Sequence, residues 1–302
     1  MKRSISTLLS AVLLSLGLAS SPLLAGESSL PGEPQAQSAT TRSVQPDVDT
    51  EATDKASERR KKVIADAGAA IEETKKALQA LDGDNTEEAL AALERATGKL
   101  ELILARDPAL ALAPVDVKMM TYDLLASTDT VKAMIHDAEE YLEDGEIQKA
   151  RPLVGNLASE IVIQSTSIPL ATYPAAIKAI VPLIDEGRHD EARTELQAAL
   201  NTLVVTTDEV IPLPVFRAKQ LLSNAEALAE NKERTVKDNE TLVDLLAAAR
   251  TQLNMAELLG YGSKKSFTAM YEQLDMIEDK TTGGKGGKGW FDRIKQQVSE
   301  LF

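Results

Sequence analysis

Apolar positions in this chain recur in a unit that appears three times. Each unit has two stretches with the 3.6-residue spacing of an amphipathic helix, a glycine between them, and an apolar exit that carries a proline. The units align on Ala89, Ala150 and Ala192. Aliphatic residues stand eight before and four, eleven and thirteen after each of these alanines: Leu81, Leu142, Ile184; Leu93, Val154, Leu196; Leu100, Ile161, Leu203; Leu102, Ile163, Val205. Recurrence of this kind predicts an array of helical hairpins.

The remaining apolar pattern also predicts helices. Pro114 begins one that extends through Leu125, because proline is well tolerated in a first turn. The runs 100–104, 160–163 and 203–205 are ambiguous, since β-branched residues cluster there, but each continues a helical stripe and we interpret them as helical. The predicted fold class is therefore all-α: a multi-helix bundle or solenoid-like array of helical hairpins with proline-bearing breaks.

The order of the segments suggests an exported protein. Lys2 and Arg3 precede an apolar run, which is the layout of a signal peptide over residues 1–25, cleaved near Ala25. An uncleaved N-terminal anchor is the alternative. Residues 26–56 lack an apolar period and are predicted to be a disordered linker. A helical domain over 57–280, a flexible glycine and lysine linker over 281–289, and a short amphipathic helix over 290–302 complete the chain.

Composition narrows the choice of partner and compartment. The formal net charge is −14, so the chain is a poor candidate for binding nucleic acid, which requires a basic face. It has no cysteine, which excludes disulfides and a lipoprotein anchor. Aromatic residues make up only 3% of the chain, so its core must be built from Ala, Leu, Ile and Val. We expect a periplasmic protein.

Catalytic chemistry finds little support in these residues. The two histidines, His136 and His189, lack the spacing of a zinc site, and we interpret both as structural. Paired carboxylates such as Glu72-Glu73 and Glu139-Glu140 lie on predicted polar faces. The glycines of 283–289 follow no strand and precede no phosphate-binding signature. We therefore expect no enzyme, no metal and no cofactor.

The proline-bearing exits are the better candidates for a ligand site. Tyr122, Tyr173, Phe216 and Arg217 lie beside them in a chain that is otherwise poor in aromatics. Aromatic side chains next to a few polar groups are typical of small-molecule clefts. Packing is the competing interpretation, in which Tyr173 only caps a helix and Arg217 pairs with Asp208 or Glu209.

The C-terminal segment carries a second candidate surface. One face of its predicted helix is apolar and consists of Trp290, Phe291, Ile294, Val298, Leu301 and Phe302. Such a face can bind a partner groove, rest on a membrane surface, or pack against the protein itself or a second copy. The sequence leaves these alternatives open.

Three stretches of the chain resemble the YfdX family of bacterial exported proteins. They are KKALQALDGDNTEEALAALERATGKLELILARDPALALAPVDV at 75–117, ASEIVIQSTSIPLATYPAAI at 158–177 and EARTELQAALNTLVVTTDEVIPLPVFRA at 191–218. The resemblance implies an α-helical periplasmic protein associated with acid and drug stress, with chaperone-like and small-molecule-binding roles. It implies no catalytic motif, so it assigns no functional residue.

Two functional hypotheses follow. The first is a non-enzymatic, stress-associated periplasmic protein whose partners are unfolded or acid-stressed envelope proteins or small apolar molecules, and which contributes to acid or drug tolerance. The second is a structural or interaction module of the envelope that acts through the C-terminal amphipathic helix, including peripheral membrane contact through residues 290–302. In either case we expect a homo-oligomer.

Overall fold

The computed structural model describes residues 37–301. The predicted signal peptide and cleavage point, residues 26–36 of the predicted linker, and Phe302 lie outside the described residues. The described part contains twelve α-helices and three β-strands. They are α1 (Ala39–Ser43), α2 (Gln45–Arg60), α3 (Ala65–Asp82), α4 (Thr86–Arg106), β1 (Leu112–Tyr122), α5 (Thr128–Glu143), α6 (Ile147–Gly155), β2 (Glu160–Pro169), α7 (Tyr173–Asp185), α8 (His189–Leu200), β3 (Val204–Pro212), α9 (Leu213–Glu230), α10 (Val236–Leu258), α11 (Lys264–Thr281) and α12 (Asp292–Ser299).

The predicted predominance of helix is confirmed, since helices account for 68% of the structure. The three sequence units are also recognisable as α3–α4–β1, α5–α6–β2 and α7–α8–β3. Each unit is thus a helical hairpin followed by a strand. Among the described residues, no helix is both long enough and apolar enough to cross a membrane.

The exits of the units are strands, which corrects part of the helical interpretation. The ambiguous run 100–104 is helical, as predicted, but 160–163 and 204–205 lie in β2 and β3. The helix predicted from Pro114 to Leu125 is also wrong, because most of that stretch is β1. Each strand obtains its hydrogen-bonding partners from another unit. A local window does not contain those partners, so its helical spacing is overridden by tertiary context.

The three strands form one antiparallel sheet in the order β1-β2-β3. Ile163 of β2 lies opposite Met119 of β1 on one side and Glu209 of β3 on the other. The register shifts once in each pairing, and these irregularities bend the strands locally. One face of the sheet forms a core with α2 and the start of α9, made of Val48, Ala52, Ala56, Val117, Ile161, Ile163, Ile211, Leu213 and Phe216.

Helices α1 and α2 correct the predicted disordered linker of 26–56, because residues 39–43 and 45–56 are helical. The side chains of Val48, Ala52 and Ala56 are fully buried. Their spacing of four residues places them on one helix face. The stripe consists of small residues in a polar segment, so its apolar signal is weak. Burial against the sheet, rather than intrinsic hydrophobicity, orders this helix.

The first and third hairpins pack together as a four-helix bundle. Helix α3 lies against α8, and α4 lies against α7. Their shared core contains the aligned aliphatic residues Leu81, Leu93, Ile184 and Leu196. The middle hairpin packs instead through α5 against α10. A second helical core is formed by α9, α10, α11 and α12.

We expect Ala52→Asp to release α2 from the sheet. A carboxylate placed at this fully buried position has no partner, and the cost is about 3 kcal/mol or more. Limited trypsin digestion should then cut rapidly at Arg42 and Lys55, which lie within α1 and α2 in the wild-type protein and should resist cleavage there. Thr53→Asp, on the exposed side of the same helix, is the control and should retain protection. Equal digestion of all three proteins would contradict the docked helix.

Candidate ligand-binding site

Arg217 is a buried charged residue in the first turns of α9, which directly follows β3. Its side chain is only 4% exposed. The guanidinium donates to both carboxylate oxygens of Asp123, with Nη1–Oδ1 at 3.0 Å and Nη2–Oδ2 at 2.7 Å. Its Nε and Nη2 also donate to Gln45 Oε1, at 2.8 and 2.6 Å. This forked geometry fixes the guanidinium plane and offsets its charge.

The predicted partners of Arg217, Asp208 and Glu209, are therefore wrong. Asp208 accepts a hydrogen bond from Ser165 Oγ, and Glu209 pairs with Lys55. Asp123, which binds Arg217, directly follows β1, and Gln45, whose side-chain amide oxygen also binds it, is the first residue of α2. These partners are 94 and 172 residues away in the chain, so no local spacing could have indicated them.

A polar network extends from Asp123 to the turn between α10 and α11. Ser159 Oγ donates to Asp123 Oδ1 at 3.3 Å, and the Ser159 N–H donates to Tyr261 Oη at 2.9 Å. Tyr261 in turn donates to Glu160 Oε2 at 2.8 Å. Burial, together with the neighbouring Glu160, raises the pKa of Tyr261, so its hydroxyl remains a proton donor. The network joins β1, β2, α9 and this turn.

A cavity of about 540 Å³ opens beside the guanidinium. We call it the Arg217 cavity; its walls are α1, the segment 124–128, the start of α9 and one face of α10. Leu125 and Met255 give it apolar surface, while Thr251, Gln252 and Asp244 give it polar groups. Pockets of roughly 300–1,000 Å³ hold drug-sized ligands.

The uncompensated charge in this cavity is negative. Asp123 offsets Arg217, whereas Asp244 forms no ion pair or hydrogen bond with any residue in the described part of the chain. The other polar groups named above are neutral donors and acceptors. The cavity therefore suits a molecule with an apolar body and a cationic or hydrogen-bonding group.

The four predicted site residues do not converge. Arg217 lines the cavity, whereas the Phe216 ring lies in the core under the sheet, with the ammonium groups of Lys55 and Lys219 at 5.8 and 5.2 Å from its centroid. Tyr173 is fully buried in the four-helix bundle near Thr74, and burial raises its pKa. Tyr122 is half exposed at the end of β1. For Tyr173 and Phe216, packing is what the structure shows.

The apolar face of the C-terminal helix is covered by the protein itself. Phe291, Ile294 and Val298 are fully buried in the core with α9 and α11, and Trp290 and Leu301 pack at its edge. Lys295 Nζ binds Glu226 Oε2 of α9 at 2.5 Å. Of the predicted alternatives, packing against the body is the one that the structure has.

The segment predicted as a flexible linker, 281–289, takes part in this packing. A Cβ at Gly287 would collide with the Trp290 indole, and one at Gly286 would collide with the Ala229 carbonyl oxygen. The two glycines thus permit a close approach between the chain and its core, which is a structural use of glycine.

The histidines lie apart from the cavity. His136 is exposed on α5, and His189 is the first residue of α8. Within residues 37–301, no group of three His, Cys, Asp or Glu side chains is arranged to hold a metal ion.

Comparison with known proteins identifies part of the chain. Residues 70–209 match the sequence model of the family described as YfdX protein. The resemblance to the YfdX family is confirmed. This YfdX region contains the three hairpin–strand units almost completely, from within α3 to within β3. Arg217 and the α10 wall of the cavity lie outside it.

A solved structure of Salmonella Typhi YfdX is also similar to the chain. Its sequence identity is 14%, the match covers 50% of this chain and 93% of the Salmonella chain, and the TM-score is 0.34. No curated protein matches the chain.

We expect Asp123→Leu and Arg217→Met to be coupled. The single Asp123→Leu change leaves a buried guanidinium without its acid and should lower the free energy of unfolding by about 3 kcal/mol or more. Because the double variant removes both charges, it should lose clearly less than the sum of the single variants. Urea unfolding followed by circular dichroism measures each value.

The matched control is the exposed pair Glu72–Lys75, whose Nζ–Oε1 distance is 2.8 Å. Glu72→Leu and Lys75→Met should couple by less than about 1 kcal/mol, as surface pairs do. Additive losses at Asp123 and Arg217 would show that the buried pair does not act as a unit.

Proposed function

We propose that this protein is a non-enzymatic, exported binding protein that takes up small amphipathic molecules with a cationic group in the Arg217 cavity. The proposal rests on one observation: the Arg217 cavity has a wall that is fixed by hydrogen bonds and an acid that has no partner among the described residues. The Arg217–Asp123–Gln45 contacts hold the wall in place without a ligand, and Asp244 supplies the unpaired charge. A preformed site binds more tightly because less conformational entropy is lost.

The expected location and role rest on further support. The N-terminal pattern and the absence of cysteine favour export to a periplasm, as the resemblance of residues 70–209 to the YfdX family also implies. A net charge of −14 attracts cationic compounds to the protein surface. We propose that uptake of such compounds underlies a contribution to drug or acid tolerance.

Thr251→Trp should block the cavity, because Thr251 is an exposed cavity-lining residue of α10 and an indole there occupies the opening. Equilibrium dialysis with 9-aminoacridine, a planar aromatic cation at neutral pH, measures the loss of binding. Asp244→Asn should weaken binding of this cation by roughly twofold to fivefold, the value of one exposed ion pair. Binding of acridine, the neutral analogue, should fall less.

Glu240→Trp is the matched control, since it adds an indole to an exposed position of the same helix outside the cavity lining. It should bind 9-aminoacridine as the wild-type protein does. The absence of saturable uptake of both dyes by the wild-type protein, or equal binding by the two tryptophan variants, would contradict the proposal.

A chaperone-like role is a second candidate, favoured by a separate apolar groove. This groove, of about 610 Å³, lies between α10 and the end of α11 and is lined by Leu242, Val243 and Leu246. Val243 is exposed beside the buried Leu242 and Leu246, so the groove offers an apolar surface on which an unfolded segment can pack. The clients would be acid-stressed envelope proteins.

If the groove holds clients, the wild-type protein at an equimolar ratio should slow the aggregation of an acid-stressed client, measured by light scattering at mildly acidic pH. Val243→Glu should reduce this effect. The control Val236→Glu changes an exposed valine of the same helix that does not line the groove and should have no effect. No suppression by the wild-type protein would exclude the role.

A further inference from the structure

The middle hairpin, α5–α6, exposes residues that its two counterparts bury. Leu81 and Ile184, eight residues before the aligned alanines, are 0% and 4% exposed, whereas the corresponding Leu142 is 51% exposed. Four residues after the alanines, Leu93 and Leu196 are fully buried, whereas Val154 is 52% exposed. The first and third hairpins bury these positions against each other in the four-helix bundle. The middle hairpin has the same apolar stripe, but its contact with α10 through α5 leaves these two positions uncovered.

The way the other two hairpins pair indicates what would cover the stripe. The first helix of each lies against the second helix of the other, since α3 packs on α8 and α4 packs on α7. A twofold axis generates this reciprocal arrangement from a single hairpin. Two copies of α5–α6 related by such an axis would place α5 of each copy against α6 of the other. An interface of this kind is isologous and closes as a dimer.

A polar contact between the paired hairpins has an equivalent in the middle one. Arg193, which follows the aligned alanine of the third unit, donates from Nη1 to the Leu81 carbonyl oxygen at 2.8 Å. Its Nε also lies 4.0 Å from Asp82 Oδ1. This contact caps the end of α3 with a cation, which the helix dipole favours.

The same positions of the middle unit hold Arg151, Leu142 and Glu143. Arg151 is exposed and forms no hydrogen bond or ion pair with any described residue. The middle hairpin therefore carries the arginine, Arg151, and also the carbonyl and acid of Leu142 and Glu143. Within one chain these groups do not bind each other. A second copy would supply each group with its partner.

The charges of the hairpin agree with this pairing. Helix α5 is acidic: it carries five acids and one lysine, which are Asp129, Asp137, Glu139, Glu140, Glu143 and Lys132. Helix α6 carries Lys149 and Arg151 and no acid; Lys149 pairs with Glu146 just before the helix, which leaves Arg151 as the cation without a partner among the described residues. Packing α5 of one copy against α6 of the other places opposite charges together, and such complementarity favours the correct partner.

We propose that the α5–α6 hairpin is a homodimer interface, in which two copies form an intermolecular four-helix bundle equivalent to the one formed by the first and third hairpins. Helix α5 has 16 residues and α6 has 9, so they are ~24 Å and ~14 Å long, and at a width of ~10 Å each they give a footprint of about 400 Å². This is below the roughly 800 Å² per partner of standard stable interfaces. The dimer is therefore in reversible equilibrium with the monomer.

Sedimentation velocity of the mature chain over a concentration series tests the interface. The wild-type protein should show a concentration-dependent dimer, and Leu142→Glu should raise its dissociation constant at least about tenfold, because a carboxylate enters the apolar stripe of the interface. Leu102→Glu is the matched control, since Leu102 is a helical leucine of α4 with 52% exposure. It should leave the dimer unchanged, and circular dichroism should show that both variants are folded.

A charge exchange tests the twofold geometry itself. Arg151→Glu and Glu143→Arg should each weaken the dimer, because each change places like charges together at two symmetric contacts. An equimolar mixture of the two variants should restore it, because both contacts then join opposite charges. A wild-type monomer at the highest soluble concentration, a dimer insensitive to Leu142→Glu, or a mixture that stays monomeric would each overturn the proposal.

Discussion

Pairing among the three strands is the interaction on which the rest of this structure depends. Each strand follows a helical hairpin in the chain, and β2 forms hydrogen bonds with β1 on one side and with β3 on the other. Because the sheet joins the exits of three separate units, it converts a linear array of hairpins into one body. One face of the sheet also gives α2 a surface to pack against, and a helix with so few large apolar residues has little other source of stability.

The sequence predicted the hairpins well because their information is local. The aliphatic stripes around Leu93 and Leu196 repeat every three or four residues, and the glycine between the helices marks each turn. The sheet was missed because strand partners come from other units, so the β-branched runs had no visible partner. Helix α2 was missed because its buried face is mostly alanine, whose weak apolar signal is lost in a polar segment.

The candidate site shows the same limit. Arg217 was identified because an arginine next to an aromatic at a proline-rich break is unusual in this composition. Its partners Asp123 and Gln45 were not identified, because a fold, and not a spacing, brings them together. The cavity is built largely from helices that flank the YfdX region, so its chemistry depends on these additional segments together with Asp123 and the segment 124–128 of the matched range.

The Gln45–Arg217 hydrogen bond has a consequence for the order in which this protein folds. Gln45 is synthesised early, but the guanidinium that it binds emerges 172 residues later. Contacts that span so much chain close slowly, because a long loop must be ordered first. Helix α2 can therefore reach its native place only after the chain has been synthesised past residue 217, which makes its docking a late event of assembly.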